Sequence, residues 1–476
     1  MSQSIEDTVR TLVEKLVLEY SASSVGVDHI APSQYASGIF PTMDLAVKAA
    51  YEAQRHLVGL PLEKRKEIVQ AMRETAMDHA QEFAEMAVQE SGRGNVADKI
   101  AKNILAAKKT PGVEDVETSA YSDEHGLSLV ERAPYGVIGS ITPVTNPTAT
   151  IINNGISMIS GGNSVVFNPH PGAKNVSCFA IEVLNAAIER VGGPRNLLVS
   201  LAQPTIESAN EMMGHQKISL LVVTGGPGVV KAAMNSGKKV IAAGPGNPPC
   251  VVDETAKIQK AAKDIVDGAS FDNNLVCICE KEVLVVKSVA NELIGEMQKV
   301  GAYLLSDQQA KSLLDQIVEV PGMMNSEGVV KREYVGKSPS FLASLIGVTV
   351  PESTRLLICD VDAGNPLVWT EQLMPFLPIV RMENVDQCID LAVQCEHGFR
   401  HTAIMHSLNV EKLSKMARQM NCSLFVKNGP CYAGLGNGGA GYTSFTIASP
   451  TGEGLTRART FTRERRCTLV DYFRII

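Results

Sequence analysis

The sequence carries one tryptophan in 476 residues and no apolar run of the about 18 residues that a bilayer crossing requires, so no membrane span is expected. It also lacks a long basic stretch. With a formal net charge of −7, that makes nucleic acid and anionic membrane surfaces poor partners. Its ten cysteines, at 178, 250, 277, 279, 359, 388, 395, 422, 431 and 467, show no repeating spacing and mostly sit inside apolar runs, the pattern of reduced intracellular thiols. Cys277 and Cys279 are too close together for a C-x-x-C redox or zinc motif, and no histidine pair lies near them at ligand spacing, so no metal is expected. No G-x-G-x-x-G follows the first strand of the α/β region. A dinucleotide would have to use other loops.

What is present is ordinary in bulk and informative in order. A chain of 476 residues with 45% hydrophobic residues exceeds what one core serves and predicts two or three domains. Ser4 to Tyr20 has Ile5, Val9, Leu12, Val13 and Leu16 at intervals of three and four, an amphipathic helix. Glu6, Asp7, Glu14 and Glu19 exclude a secretory signal and disfavour a mitochondrial presequence. The helix is followed by a Ser-, Gly-, Pro- and Ala-rich linker, so it either packs on the body or stays free to bind something else. Met43 to Leu105 is strongly helical, with Leu45, Ala49, Ala53, Leu57, Ile68, Met72, Met77 and Phe83 on the apolar face. It reads as a layer with no chemistry of its own. Val113 to Arg132 reads as a polar hairpin, and the tail Thr460 to Phe473 as a strand. Neither belongs to the α/β layers, and together they could form an intersubunit sheet.

From Tyr135 onward, five predicted strands (136–141, 164–167, 197–201, 218–223 and 239–243) alternate with four predicted helices, the signature of a mostly parallel sheet covered on both faces. Ligands bind such sheets beyond the carboxyl ends of the strands. There the sequence places Thr142-Pro-Val-Thr-Asn-Pro147, Asn168-Pro-His-Pro-Gly172 and Thr224-Gly-Gly-Pro-Gly228. Gly225, Gly226 and Gly228 would let backbone N–H groups or a helix N-terminus approach phosphate, although such glycines also mark ordinary turns. A second α/β region runs from Ala256 to about Ser449, with predicted helices at 290–298, 385–393 and 411–420 and strands at 283–286, 356–359, 402–405 and 423–426.

The second region opens on Ala269-Ser-Phe-Asp-Asn-Asn-Leu-Val-Cys-Ile-Cys279, between an amphipathic segment (Ile258, Ala262, Ile265, Val266, Ala269) and the apolar run Val283 to Val286. Taken alone, Cys277 could be a small buried hydrophobe. In a loop between two packed elements, its position is fixed while its sulfur stays reachable, which suits a nucleophile.

Together these motifs resemble the aldehyde dehydrogenase superfamily over nearly the whole chain, and within it the CoA-acylating branch of propionaldehyde and acetaldehyde dehydrogenases packaged in bacterial microcompartments. The matching stretches are Ile141-Thr-Pro-Val-Thr-Asn-Pro-Thr148, Phe167 to Lys174, Val223 to Gly226, Ser270 to Cys277, Glu396-His-Gly-Phe-Arg-His401 and Ser444 to Glu453. The resemblance implies a Rossmann-type cofactor domain at 39–112 and 135–248, an α/β catalytic domain at 249–452, and a small β oligomerisation element at 113–134 and 453–476. Residues 1–20 would be a candidate encapsulation peptide binding shell or cargo proteins, and 21–38 a linker. It implies Cys277 as the nucleophile, with Cys279 a bystander, and Asn146 as oxyanion donor, with Thr145 its rival. Thr142, Asn168, His170, Pro171, Thr224, Gly225, Gly226 and Glu371 would bind the cofactor, Glu371 at the nicotinamide ribose. NAD is favoured over NADP, although Asn168 replaces the lysine of hydrolytic relatives. His397 and His401 match without an assigned role.

The hydrolytic relatives carry a glutamate base shortly before the cysteine loop, whereas the corresponding stretch Ala242-Ala-Gly-Pro-Gly-Asn-Pro-Pro249 has no carboxylate. Water without a base is a poor nucleophile and a thiol is a good one, so coenzyme A is the expected acyl acceptor. The expected activity is oxidation of a short aldehyde to acyl-CoA in a homodimer or homotetramer. The alternatives are a hydrolytic dehydrogenase with an unrecognised base and an inactive microcompartment cargo protein.

Overall fold

The computed structural model describes residues 37–476, so the expected helix at 4–20 and most of the linker lie outside the described residues. After the short strand Ile39–Phe40 come four helices: Met43–Val58, Leu62–Asp78, Ala80–Ser91 and Val96–Lys109. In the first of them the buried stripe is Met43, Ala46, Val47, Ala50, Ala53 and Leu57, whereas Leu45 is 46% exposed and Ala49 only half-buried. The face is thus rotated from the expected one. Small Ala46 and Ala50 let the helix lie close on the strand residues Val166 and Val199, which share its cluster.

The first sheet has six parallel strands in the order Ile39–Phe40, Leu198–Leu201, Ser164–Pro169, Val137–Thr142, Ile218–Thr224, Lys239–Ala243. All five expected strands are there, and the short edge strand at 39–40 is an addition. The helix Pro147–Ser160 follows the central strand and is buried at every position. Its polar residues therefore need partners. The Asn153 amide donates to Thr110 Oγ1 (2.8 Å) and accepts from the Phe445 N–H (3.0 Å). Asn154 donates to Ser140 Oγ (3.2 Å) and accepts from Thr446 Oγ1 (3.0 Å). These bonds tie Phe445 and Thr446 to the helix behind the first-strand loop.

The second sheet has seven parallel strands in the order Ala302–Leu304, Leu356–Val361, Phe376–Met382, Glu282–Val286, Pro249–Val252, Thr402–His406, Leu424–Lys427. Two of its interior strands, 249–252 and 376–382, are not among those expected. Pro249 opens one and Pro378 lies inside the other, and proline removes a ladder donor and so argues against an interior strand when only the sequence is read. The expected hairpin is present as Ser119–Asp123 and Gly126–Pro134, and the tail strand Thr462–Val470 pairs antiparallel with its second arm in a three-stranded sheet.

Asn163 joins three of these parts. It is wholly buried. Its Oδ1 accepts from the Tyr135 (2.7 Å) and Gly136 (3.0 Å) N–H groups, and its Nδ2 donates to the carbonyls of Met158 (3.0 Å) and Phe461 (2.9 Å). The amide thus closes the end of the buried helix, the entry to the central strand and the approach to the tail strand. Removing it leaves buried backbone groups unpaired at ~1–3 kcal/mol each before relaxation. Asn163→Ala is expected to lower stability by about 3 kcal/mol, measured as a lower urea midpoint in equilibrium unfolding.

Candidate active site

The cysteine loop leaves the helix Ile258–Ser270 through three consecutive left-handed residues, Asp272, Asn273 and Asn274, with φ of 49°, 54° and 65°. Such a backbone costs ~1–2 kcal/mol per residue for most side chains, and Asp and Asn tolerate it best. Each is held from outside. The Asp272 N–H donates to Asp98 Oδ2 (2.7 Å), Asn273 Nδ2 to the Gly336 carbonyl (3.0 Å), and Asn274 Nδ2 to the carbonyls of Ala269 (2.8 Å) and Glu280 (3.1 Å). This turn delivers Cys277 as a partly buried residue between the buried Val276 and Ile278. Cys279 is fully buried.

Two charged groups act on Cys277 most. Burial, and next the Glu371 carboxylate, push its thiol up to about 12, while the buried Lys281 ammonium pulls it down. Lys281 is fixed by Asn274, donating to its carbonyl (3.2 Å) and its Oδ1. Glu371 itself is raised to about 7, first by burial, with Lys281 opposing. It accepts from the Gly246 N–H at 3.4 Å. A Cβ on Gly246 would stand 2.9 Å from His401 Cγ and 3.0 Å from the Cys277 carbonyl oxygen, and one on Gly244 would stand 2.8 Å from Pro450 Cγ. The carboxylate-free stretch is therefore also a filled one.

The histidines of the 396–401 motif are both held below the usual imidazole range. Burial lowers both, His401 to about 4. His397 donates from Nε2 to the Trp369 carbonyl (3.1 Å). His401 bonds Thr402 Oγ1 through Nδ1 (2.8 Å), and its buried Nε2 has no partner.

Asn146 stands at the N-cap position of the buried helix without a side-chain capping bond, and its side chain is engaged elsewhere on both sides. Lys102 Nζ donates to its Oδ1 at 2.6 Å, and its Nδ2 donates to Thr145 Oγ1 at 3.2 Å. Lys102 also donates to Asp272 Oδ2, as does Lys99 (3.0 Å), which reaches the Thr145 carbonyl as well (3.0 Å). Asp272 completes the junction by accepting the Asn95 N–H on Oδ1 (2.8 Å). Both lysines are buried, on the helix Val96–Lys109. The helical layer expected to lack chemistry thus sends two cations to the point where the cysteine loop and the first-strand loop meet. Burial, and next the Lys102 charge, lower Lys99 to about 8. A pair of lysines three apart in a helix reads as solvated surface. The sequence signal that was available is Asp272, an acid in an otherwise neutral loop that needs a counter-charge.

The expected cofactor residues other than Glu371, which lies beside Gly246 ahead of a strand of the second sheet, gather at the carboxyl ends of the first sheet. His170 and Pro171 are exposed there, and the Thr142 carbonyl accepts the His170 N–H (3.1 Å). Thr224 bonds Thr446 through its hydroxyl (3.2 Å), Gly225 is half-buried, and Gly226 leads into the helix Pro227–Met234. Nothing lies within 4 Å of a Cβ built on Gly226 or Gly228, so this edge is open. Asn168 differs from the others. It is buried, donates from Nδ2 to the Thr205 carbonyl (3.2 Å) and accepts Ser208 Oγ, so its amide serves the helix Ile206–Gly214. Among the described residues no cluster of His, Cys, Asp or Glu is arranged to hold a metal, and no helix is long and apolar enough to cross a membrane.

Comparison with known proteins gives a consistent picture. Residues 34–315 match the aldehyde dehydrogenase family. The acetaldehyde dehydrogenase (acetylating) of Salmonella typhimurium is 48% identical over 472 residues, covering 99% of this chain and 100% of that one. The propanal dehydrogenase (CoA-propanoylating) of Citrobacter freundii is 48% identical over 96% of this chain and 99% of its own. Among solved structures, the Rhodopseudomonas palustris propionaldehyde dehydrogenase with bound CoA and an acylated cysteine is 49% identical with a TM-score of 0.89, covering 92% of this chain and 99% of that one. A propionaldehyde dehydrogenase from the Clostridium phytofermentans fucose utilisation microcompartment is 46% identical with a TM-score of 0.90, covering 92% and 100%.

The sign of the Glu371 effect is testable on the thiol. Glu371→Gln removes a negative charge that favours protonated Cys277. The pH profile of Cys277 alkylation by iodoacetamide is expected to move to lower pH, and an unchanged profile refutes the coupling.

Proposed function

The chain belongs to the aldehyde dehydrogenase family, and from that premise we propose that it oxidises a short aliphatic aldehyde, propionaldehyde or acetaldehyde, to acyl-CoA with reduction of NAD. The observation that carries the acylating reading is the filled, carboxylate-free stretch at 242–249 beside Cys277, which leaves no place there for a base to activate water. The near-complete overlap with acylating relatives supports it.

In this reading the Cys277 thiol gives up its proton to water, the thiolate adds to the aldehyde carbon, and Asn146 donates to the oxygen that becomes charged. Loss of hydride from that carbon leaves the acyl group on Cys277 as a thioester. A nicotinamide dinucleotide, when bound, supplies the hydride acceptor. The open edge at Gly226 and Gly228, with His170, Pro171, Thr142, Thr224 and Gly225, suits its phosphates and adenosine half, and Glu371 suits the ribose next to the nicotinamide. Asn168 stands at the end of the strand that leads to that site, and its amide is spent on Thr205 and Ser208, so it would offer the cofactor no side-chain bond. The acyl group then passes to the thiol of coenzyme A, whose proton leaves as the new S–C bond forms, and Cys277 departs as thiolate to be reprotonated.

The segments 39–112 and 135–248 would bind the cofactor and 249–452 carry the nucleophile. The sheet of 113–134 and 453–476 would join copies into a homodimer or homotetramer. Its outer faces support this, because the strand Ser119–Asp123 is exposed throughout and Thr462–Val470 nearly so. Residues 1–20 would direct the enzyme into a microcompartment, a reading supported by their amphipathic spacing and by the microcompartment relative.

The defining assay supplies propionaldehyde and NAD with and without coenzyme A. Propionyl-CoA and NADH are expected only with the thiol, and equal NADH formation with propionate as product would falsify the acylating reading. Cys277→Ala should reduce turnover by at least about 10³-fold, as loss of a covalent nucleophile does, while Cys279→Ala keeps most of it. Deletion of residues 1–20 is expected to release the enzyme from compartments in cells that build them, scored by co-purification with shells. Undiminished co-purification removes that role.

A further inference from the structure

We infer that Lys102 is a positioning residue for the oxyanion donor: it fixes the Asn146 amide with its NH2 turned toward the reacting carbonyl, and through Asp272 it ties that donor to the cysteine loop. The inference rests on the reaction proposed above.

An ammonium can only donate, so the amide oxygen, not the nitrogen, must face Lys102 Nζ at 2.6 Å. That settles which end of Asn146 is free. One of the two Nδ2 hydrogens goes to Thr145 Oγ1, and the other is left for a ligand. Thr145, the rival donor, is thereby an acceptor of the amide and a brace for it. Asn146 alone could rotate its amide by half a turn and present an acceptor to a developing negative charge. With Lys102 in place, that rotation would set an NH2 group against an ammonium.

The same Nζ is bonded to Asp272 Oδ2, five residues before Cys277 in the turn that aims it. Lys99 shares that carboxylate and also holds the Thr145 carbonyl, so the loop bearing the donor and the loop bearing the nucleophile are clamped to one helix face by two cations. The remaining charged neighbour is Asp98, whose carboxylate accepts the Asp272 N–H and the Asn95 amide. Lys102 and Asp272 are 2% and 0% exposed, which removes a surface role for the pair.

A double-mutant cycle read in kcat tests this. Asn146→Ala is expected to lower kcat by about 100-fold, the loss of one oxyanion donor. Lys102→Met should lower it by about tenfold or more, with KM for NAD and for coenzyme A within about twofold of the parent. Lys102→Met/Asn146→Ala should then be no slower than Asn146→Ala alone, because Lys102 acts through the amide. Lys102→Gln, which can still donate to Oδ1 without a charge, should recover part of the loss. If Lys102→Met does not fold, Lys102→Gln and Lys102→Gln/Asn146→Ala carry the same comparison. Multiplying losses, or a full-speed Lys102→Met enzyme, overturn the inference and leave the proposed reaction standing. Parent-like kcat in Asn146→Ala overturns both the oxyanion role and the inference, while failure of the proposed reaction itself is read separately from the coenzyme A dependence of the parent enzyme.

Discussion

A buried carboxylate with two buried ammonium partners sits at the centre of this molecule, and that choice constrains what surrounds it. Taking Asp272, Lys99 and Lys102 out of water costs several kcal/mol per ion in isolation, and removing the shared carboxylate would leave two buried ammonium groups facing each other unpaired. The three must therefore stay together. Because they belong to the cysteine loop and the fourth helix, and Lys102 extends to Asn146, keeping them together fixes three segments that are far apart in sequence. The left-handed run at Asp272 to Asn274 follows from this. A right-handed continuation of the helix would not turn the loop back, and the strain is met by hydrogen bonds to each residue in turn.

Around that junction the parallel sheets do the placing. Every strand of the first sheet runs the same way, so the loops at 142–147, 168–172 and 224–228 emerge on one edge. The buried helix that starts at Asn146 is tied by Asn153 and Asn154 to Thr110, Ser140 and residues 445–446, and Thr446 also reaches Thr224. The segment at 445–446 thus braces the floor of the open edge, although Thr446 lies 222 residues from Thr224 in the chain.

The first sheet was legible because its strands are short apolar runs separated by helices and turn residues, a pattern that periodicity reads well. The second sheet was legible only in part, because Pro249 and Pro378 disguise two of its interior strands. Leu45 misled as the larger hydrophobe on the wrong face, since close packing on the sheet is set by small Ala46 and Ala50. At the site, Cys277 stood out through its loop, whereas Asn146 and Glu371 entered only by family resemblance. Lys99 and Lys102 could not be found from helical spacing, which assigns a lysine to water unless a distant carboxylate is known to claim it. Asn163 and Asn168 show the same limit, since four of the bonds of one and both of the other are to groups between 5 and 298 residues away.

The electrostatics of Cys277 bear on why sulfur should hand its acyl group to sulfur. Burial and the Glu371 charge favour the thiol over the thiolate, and Lys281 only partly offsets them. In the proposed reaction the thiolate is both the attacking species and the later leaving group, so the same field opposes the start and the end of that cycle until positive charge arrives or Glu371 is engaged. An acceptor that needed a base as well would meet a second barrier, because the space at Gly244 and Gly246 is taken by Pro450, His401 and the Cys277 carbonyl. An incoming thiol is acidic enough and nucleophilic enough to avoid that requirement, and it exchanges one thioester for another of similar energy. The crowding that excludes a carboxylate therefore favours a thiol acceptor in the proposed reaction, whereas the field that raises Cys277 has to be relieved before the sulfur can attack or depart.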